Sequence, residues 1–131
     1  LEDAELTSEP LLRSGEPLVD AVKAVAEIGI DAILFNCCQP EVIGEAIQVT
    51  RDKLTFLNTL EIGIGAYANA FPPQPKHATA NEGLDEIRAD LTSVAYLNWA
   101  QQWQQKGATL IGGCCGVGPE HIALLTEKLS V

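Results

Sequence analysis

A chain of 131 residues, 47% hydrophobic and 20% charged, has the apolar material for one core and too little length for two domains. Eighteen acidic residues against eight basic ones leave a net charge of -10, with Lys and Arg scattered singly, which argues against nucleic acid and anionic membrane as partners. No run approaches the ~18–20 apolar residues of a spanning helix, and the acidic start Leu1-Glu2-Asp3-Ala4-Glu5 is unlike a basic signal peptide, so the expected location is cytoplasmic. The lack of any Met reads as a sequence that begins inside a longer chain.

Residues 1–17 are polar and irregular, with Ser8-Glu9-Pro10 and Ser14-Gly15-Glu16-Pro17 as turn signals, and read as a connecting segment. Pro17 suits a first helical position. Leu18, Val19, Ala21, Val22, Val25 and Ile28 follow at helical spacing, and Gly29 stands as the C-terminal cap. Ala32-Ile33-Leu34-Phe35 is short, continuous and apolar, the pattern of a strand buried on both faces, and it runs into Asn36-Cys37-Cys38. Pro40 and Glu41 open a second helix whose stripe of Val42, Ile43, Ala46 and Ile47 runs out near Arg51.

A second strand is expected within Ile62 to Ala68, and Phe71 to Gly83 reads as a long Pro-rich loop holding a solvated His77. Thr92 suits an N-cap, after which Tyr96, Trp99, Ala100 and Trp103 recur three and four residues apart until Gly107, so both Trp residues are expected in the core. Ala108 to Ile111 is a third short strand and Gly112-Gly113-Cys114-Cys115-Gly116 its loop. Pro119 and Glu120 open a last helix with Ile122, Leu125 and Leu129 as its stripe, and His121 in its first turn is expected at a cap or on the surface. Strands alternating with amphipathic helices predict an α/β fold with parallel strands. Three strands alone leave open edges, which points to a segment of a larger barrel or to a chain that takes a partner.

The four cysteines form two vicinal pairs, Cys37-Cys38 and Cys114-Cys115, too few for a disulfide scaffold. Both pairs fall where strands end, and in parallel α/β folds functional groups gather at the C-terminal ends of strands. In an extended strand one cysteine of a pair faces in and its neighbour away. The glycines at 112, 113 and 116 relax that constraint and could let both Cys114 and Cys115 turn toward one ion. There is no Cys-x-x-Cys knuckle, so by spacing alone a thiolate-bound zinc and buried structural thiols both stand.

The stretch Ile111-Gly112-Gly113-Cys114-Cys115-Gly116, followed by Gly118-Pro119-Glu120-His121-Ile122, resembles the closing motif of the homocysteine S-methyltransferase family. Phe35-Asn36-Cys37, with Pro40-Glu41 just after, resembles that family's other zinc-ligand motif. Tyr67-Ala68-Asn69-Ala70 is similar to its Asn-containing loop, and Leu12 to Val19 to its approach to the helix before these strands. The resemblance spans nearly the whole chain, in order. It implies that residues 1–131 are part of a homocysteine-binding (β/α)8 TIM barrel, holding about its strands 6–8. It further implies zinc on Cys37, Cys114 and Cys115, with Cys38 left to packing and Asn36 and Asn69 lining the substrate crevice. The implied substrates are homocysteine and a methyl donor. The metal would keep the homocysteine sulfur as a thiolate, and transfer of the methyl group would give methionine.

Two readings from other classes stand beside this one. In the first, the chain is a non-catalytic zinc-binding module that assembles with itself or with a complementing chain through its open edges. In the second, it is a redox protein using a vicinal disulfide at Cys114-Cys115.

Overall fold

The computed structural model describes residue 1, residues 9–73 and residues 86–129. Helix α1 (Leu18–Ile28) begins one residue after Pro17, which keeps an extended backbone and caps the helix from outside it; Gly29 ends it at a φ of 80°. Strand β1 (Ala32–Asn36) follows. Helix α2 (Pro40–Leu57) runs well past Arg51, because Thr50 and Leu54 continue its buried stripe and Asn58 closes it in the left-handed conformation. Strand β2 is Gly63–Tyr67, and helix α3 (Ser93–Lys106) starts where the Thr92 Oγ1 accepts a hydrogen bond from the Ala95 amide at 3.3 Å.

Strand β3 is only Leu110–Ile111. It is shorter than the apolar run from Ala108 because the Ala108 amide turns back to the Trp103 carbonyl at 2.9 Å, finishing α3 instead of joining the ladder. Helix α4 (Pro119–Lys128) closes the described chain. Residues 9–17 are irregular apart from one antiparallel bridge between Leu11 and Pro17. Residues 2–8, and most of the expected Pro-rich loop with His77, lie outside the described residues.

The three strands form one parallel sheet in the order β1-β2-β3, with Leu34 beside Gly65 and Gly65 beside Leu110. The helices pack in succession, α1 on α2, α2 on α3 and α3 on α4, against the sheet face that carries Phe35, Ile64 and Ala66. Trp103 and Tyr96 are fully buried in this layer, their rings edge to face at 5.6 Å, and Trp99 packs against it partly buried. Cys38 belongs to the same core at 1% exposure, as its expected packing role requires.

The expectation that β1 is buried on both faces does not hold among the described residues. Leu34 is 45% exposed and Leu110 46%, both on the row that faces away from the helices. Gly65 between them has no room for a side chain: a Cβ there would stand 2.8 Å from the Leu34 Cγ and 2.9 Å from the Leu110 Cβ. The continuous apolar pattern of β1 therefore describes a strand with one covered face and one apolar face left bare by the described residues.

The stripe of α4 also differs from expectation. His121 and Leu125 point inward and Ile122 is 41% exposed. One residue is about 100° on a helix, so exchanging Ile122 for its neighbour rotates the inward face. Hydrogen bonds decide it: the His121 Nδ1 accepts from the Gly118 amide at 3.1 Å, capping the helix start, and Nε2 lies 3.1 Å from the Leu91 carbonyl. The ring also meets Tyr96 edge to face at 5.7 Å. His121 thus fills the expected capping role, from a buried position.

Among the described residues, no helix is long and apolar enough to cross a membrane.

Candidate metal centre

The loops after β1, β2 and β3 meet at the C-terminal edge of the sheet. β1 ends at Asn36, and Cys37 takes a φ of 51°, a left-handed conformation that costs a non-glycine residue about 1–2 kcal/mol. That single residue breaks the alternation of the strand. The Cys37 amide still donates to the Tyr67 carbonyl at 3.0 Å, so the kink occurs while the residue remains tied to β2. Cys38 then turns into the core.

On the other side, Cys114 donates its amide to the Ala68 carbonyl at 2.9 Å and the Ala70 amide donates to the Cys115 carbonyl at 2.8 Å. Two features make this turn possible. Gly116 has a φ of 78°, which a side chain would strain, and a Cβ on Gly113 would run into the Val117 side chain. Both cysteines of the pair consequently face the same way, as glycine flanking allowed.

The result is a triad of thiols. The Cys37 and Cys115 sulfurs lie 3.8 Å apart, those of Cys114 and Cys115 3.9 Å apart, and all three fall within 4.8 Å of one another. Four ligands placed tetrahedrally at zinc–sulfur distances of about 2.3 Å would stand about 3.8 Å apart. The donor set therefore fits a thiophilic ion with one position left for another ligand, and the group could hold a metal ion. Cys37 and Cys114 are partly buried and Cys115 is exposed, so the triad has a protected floor and an open side. Burial pushes the Cys37 thiol up, and its hydrogen bond with Cys114 reinforces the shift, so with no ion present it keeps its proton to higher pH than an ordinary cysteine.

The two asparagines separate. Asn36 is exposed at the end of β1, on the bare side of the sheet. Asn69 is 5% exposed and its amide is engaged with the loops: Nδ2 donates to the Cys37 carbonyl at 2.8 Å, and Oδ1 accepts from the Gln39 Nε2 at 2.9 Å and from the Phe71 amide at 3.0 Å.

Gln39 and Tyr96 were not singled out by sequence reasoning. Gln39, 2% exposed, precedes the proline that opens α2. An amide side chain directly before that proline and two residues after Cys37 is the sequence signal that could have marked it. Tyr96 has the helical spacing of a core residue, and nothing in that spacing shows what its hydroxyl does. It donates to the Gly112 carbonyl at 2.8 Å and accepts from the Ala68 amide at 3.1 Å, stitching the end of β2 to the loop that carries Cys114. Burial pushes this phenol up, keeping it a donor. Tyr96→Phe removes that hydroxyl from between two buried backbone groups, so a loss of about 1–3 kcal/mol is expected in urea denaturation. A loss near zero would mean that water replaces the hydroxyl.

Over a stretch of 51 residues the chain is 43% identical to the ribosomal RNA large subunit methyltransferase H of Anaeromyxobacter sp. (strain K). The same enzyme of Anaeromyxobacter dehalogenans (strain 2CP-1) matches equally. These matches cover 37% of this chain and 33% of each relative, so the chain spans about a third of the length of these curated relatives. A second comparison covers almost everything: the model of the homocysteine S-methyltransferase family matches residues 2–129. The three thiols thus stand within a match that runs nearly from end to end, and the chain belongs to the homocysteine S-methyltransferase family, a family of methyltransferases.

Proposed function

We propose that this chain forms the metal-binding and homocysteine-binding part of a methyltransferase that makes methionine, with zinc held by Cys37, Cys114 and Cys115. The observation that carries the reading is the thiol triad, three sulfurs from two strand ends within 4.8 Å in a chain of this family. Zinc bound there would take the homocysteine sulfur at its open position as a thiolate, ready to accept a methyl group without a protein base. The residues of the chain do the rest. The kink at Cys37 and the glycine turn around Cys114 and Cys115 aim three donors at one point before any ion arrives. Cys115, being exposed, marks the side from which the substrate enters, and Asn36, the exposed residue that precedes Cys37, is a polar group offered to the amino-acid end of homocysteine. Asn69 contributes to the crevice from behind, through its hold on the Cys37 loop.

The same reading places β1, β2 and β3 as about strands 6–8 of a (β/α)8 barrel. Sequential strand order, helices in one layer and an apolar bare face with a glycine between two leucines are what a barrel wall requires, since its inner face is covered by the remaining strands. Reduced thiols in this role suit a cytoplasmic protein. The acidity of the chain weighs against RNA as the methyl acceptor.

The bare face also favours a second reading, a non-catalytic zinc module that assembles through that surface. One experiment separates the two. The zinc-loaded chain is incubated with homocysteine and, in turn, S-methylmethionine, S-adenosylmethionine, betaine and methyl-folate, and methionine is measured. Methionine formation with one donor supports the enzyme. A homocysteine-induced shift in the thiolate-to-metal absorption of the Co2+-loaded chain supports the homocysteine site in the same way, and metal uptake with neither methionine nor that shift leaves the module.

A further inference from the structure

Between the thiol triad and the segment after the Pro-rich loop runs a chain of hydrogen bonds. The Arg88 guanidinium donates to the Gln39 Oε1 at 2.7 Å and reaches Glu41 with both terminal nitrogens, at 2.6 and 3.1 Å. Gln39 passes the link on: its Nε2 donates to the Asn69 Oδ1 at 2.9 Å and to the Phe71 carbonyl at 2.7 Å. Asn69 completes it with the 2.8 Å bond to the Cys37 carbonyl. Arg88 also grips the opposite loop through its backbone, since its amide donates to the Ala70 carbonyl at 2.8 Å while the Ala70 amide holds the Cys115 carbonyl.

We infer that Arg88, acting through Gln39 and Asn69, is the positioning residue of the thiol triad: a clasp that holds Cys37 in its left-handed conformation and keeps it in register with Cys115. The inference deepens the proposed metal site and rests on that reading for the identity of the bound ion. Three physical points carry it. Cys37 adopts a backbone conformation that a cysteine does not choose unaided, so something must hold it. The carbonyl of that residue receives the last bond of the relay, where a side chain can fix the kink. Each polar group in between has one geometry available: the Gln39 amide offers its oxygen to the guanidinium and its nitrogen to Asn69, and reversing it would set donor against donor and acceptor against acceptor. The guanidinium is the only side chain type that can span Gln39 and a carboxylate with a planar fork. Its outer face is paired with Asp90 at 2.6 Å, which fixes the fork from the solvent side.

Cys38, 1% exposed and adjacent in sequence, provides an internal control. The test uses the full chain and its Gln39→Ala, Arg88→Ala and Arg88→Lys variants, with two probes. Iodoacetamide alkylation of the metal-free protein is followed for each cysteine by mass spectrometry, and Co2+ uptake is followed by the thiolate-to-metal absorption. In both alanine variants Cys37 should alkylate about tenfold faster with Cys38 unchanged, because the loop opens locally while the core stays closed. Co2+ affinity should fall by about 10–100-fold, the usual cost of losing support around metal ligands. Arg88→Lys should fall between the parent and Arg88→Ala, since an ammonium cannot reproduce the fork. Unchanged Cys37 reactivity in both alanine variants would overturn the clasp, and so would Cys37 and Cys38 accelerating together, which reports global loosening. A parent chain that takes up no Co2+ would overturn the metal assignment alone, and the alkylation rates would still decide the clasp.

Discussion

Chain purified without chelator should carry about one zinc, and Cys114→Ser should carry almost none, with metal affinity lowered by about a thousandfold or more. The physical reason is the smallness of the ligand set. Among the described residues three thiols supply the protein donors of the candidate centre, and two of them are sequence neighbours whose sulfurs stand 3.9 Å apart in a loop bent at Gly113 and Gly116. Serine keeps the shape of the side chain but offers a hydroxyl that holds its proton, so the centre loses a charge and a soft donor together. Cys38→Ser makes the contrast, since Cys38 lies in the core and should leave zinc content unchanged at some cost in stability. The same experiment has a pH arm. Zinc takes the thiolate, and burial holds the Cys37 proton to higher pH than in an ordinary cysteine, so that proton must be displaced and affinity should fall by about tenfold per pH unit from this thiol alone as the pH drops below its titration. Elemental analysis and chelator competition at two pH values measure both effects. Zinc retained in Cys114→Ser would remove the triad from consideration as the binding site.

Trp103→Ala is expected to destabilise the fold by about 3–5 kcal/mol, the cost of emptying an aromatic site in a packed core. Trp103 is fully buried, stacked edge to face on Tyr96, on the helix that carries the stitch between the β2 and β3 loops. Among the described residues its Nε1 has no hydrogen-bond partner, so the indole acts through its volume. Trp103→Phe keeps much of that volume and sheds the unpaired N–H, and should cost less than half as much. Urea denaturation followed by circular dichroism measures both. A natural domain has about 5–15 kcal/mol in total, so Trp103→Ala should also loosen the thiol triad through Tyr96. Equal losses in the two variants would mean that the indole N–H has a partner, such as a buried water.

These expectations draw unequally on sequence and structure. Helix starts at Pro40 and Pro119, the Thr92 cap and the ends at Gly29 and Gly107 were legible because each is a local event, decided by the backbone preferences of one or two residues. The Cys114-Cys115 turn was legible for the same reason, whereas Cys37 joined that pair only through the resemblance of Phe35-Asn36-Cys37 to a zinc-ligand motif of the family. Locality also explains the misses. The end of α2 was read too early because Thr50 does not look apolar, although it is fully buried where Leu54 continues the stripe. In α4 the sequence pattern favoured Ile122, and a histidine took the inward place because a carbonyl 30 residues away was there to meet it.

Composition and short-range pattern by themselves determined the α/β class, the order of elements and the cysteines worth watching, since helical and strand periods, caps and glycine turns are written within a few residues of one another. The tertiary structure decided what depends on distant partners. It brought Cys37 within 3.8 Å of Cys115, 78 residues on, gave Asn69 to the Cys37 carbonyl, and joined Arg88 to Gln39 across 49 residues. Among the described residues it also left one face of the sheet bare, which no strand pattern could reveal, because an apolar side chain reads the same whether the surface that covers it is present or still to be supplied.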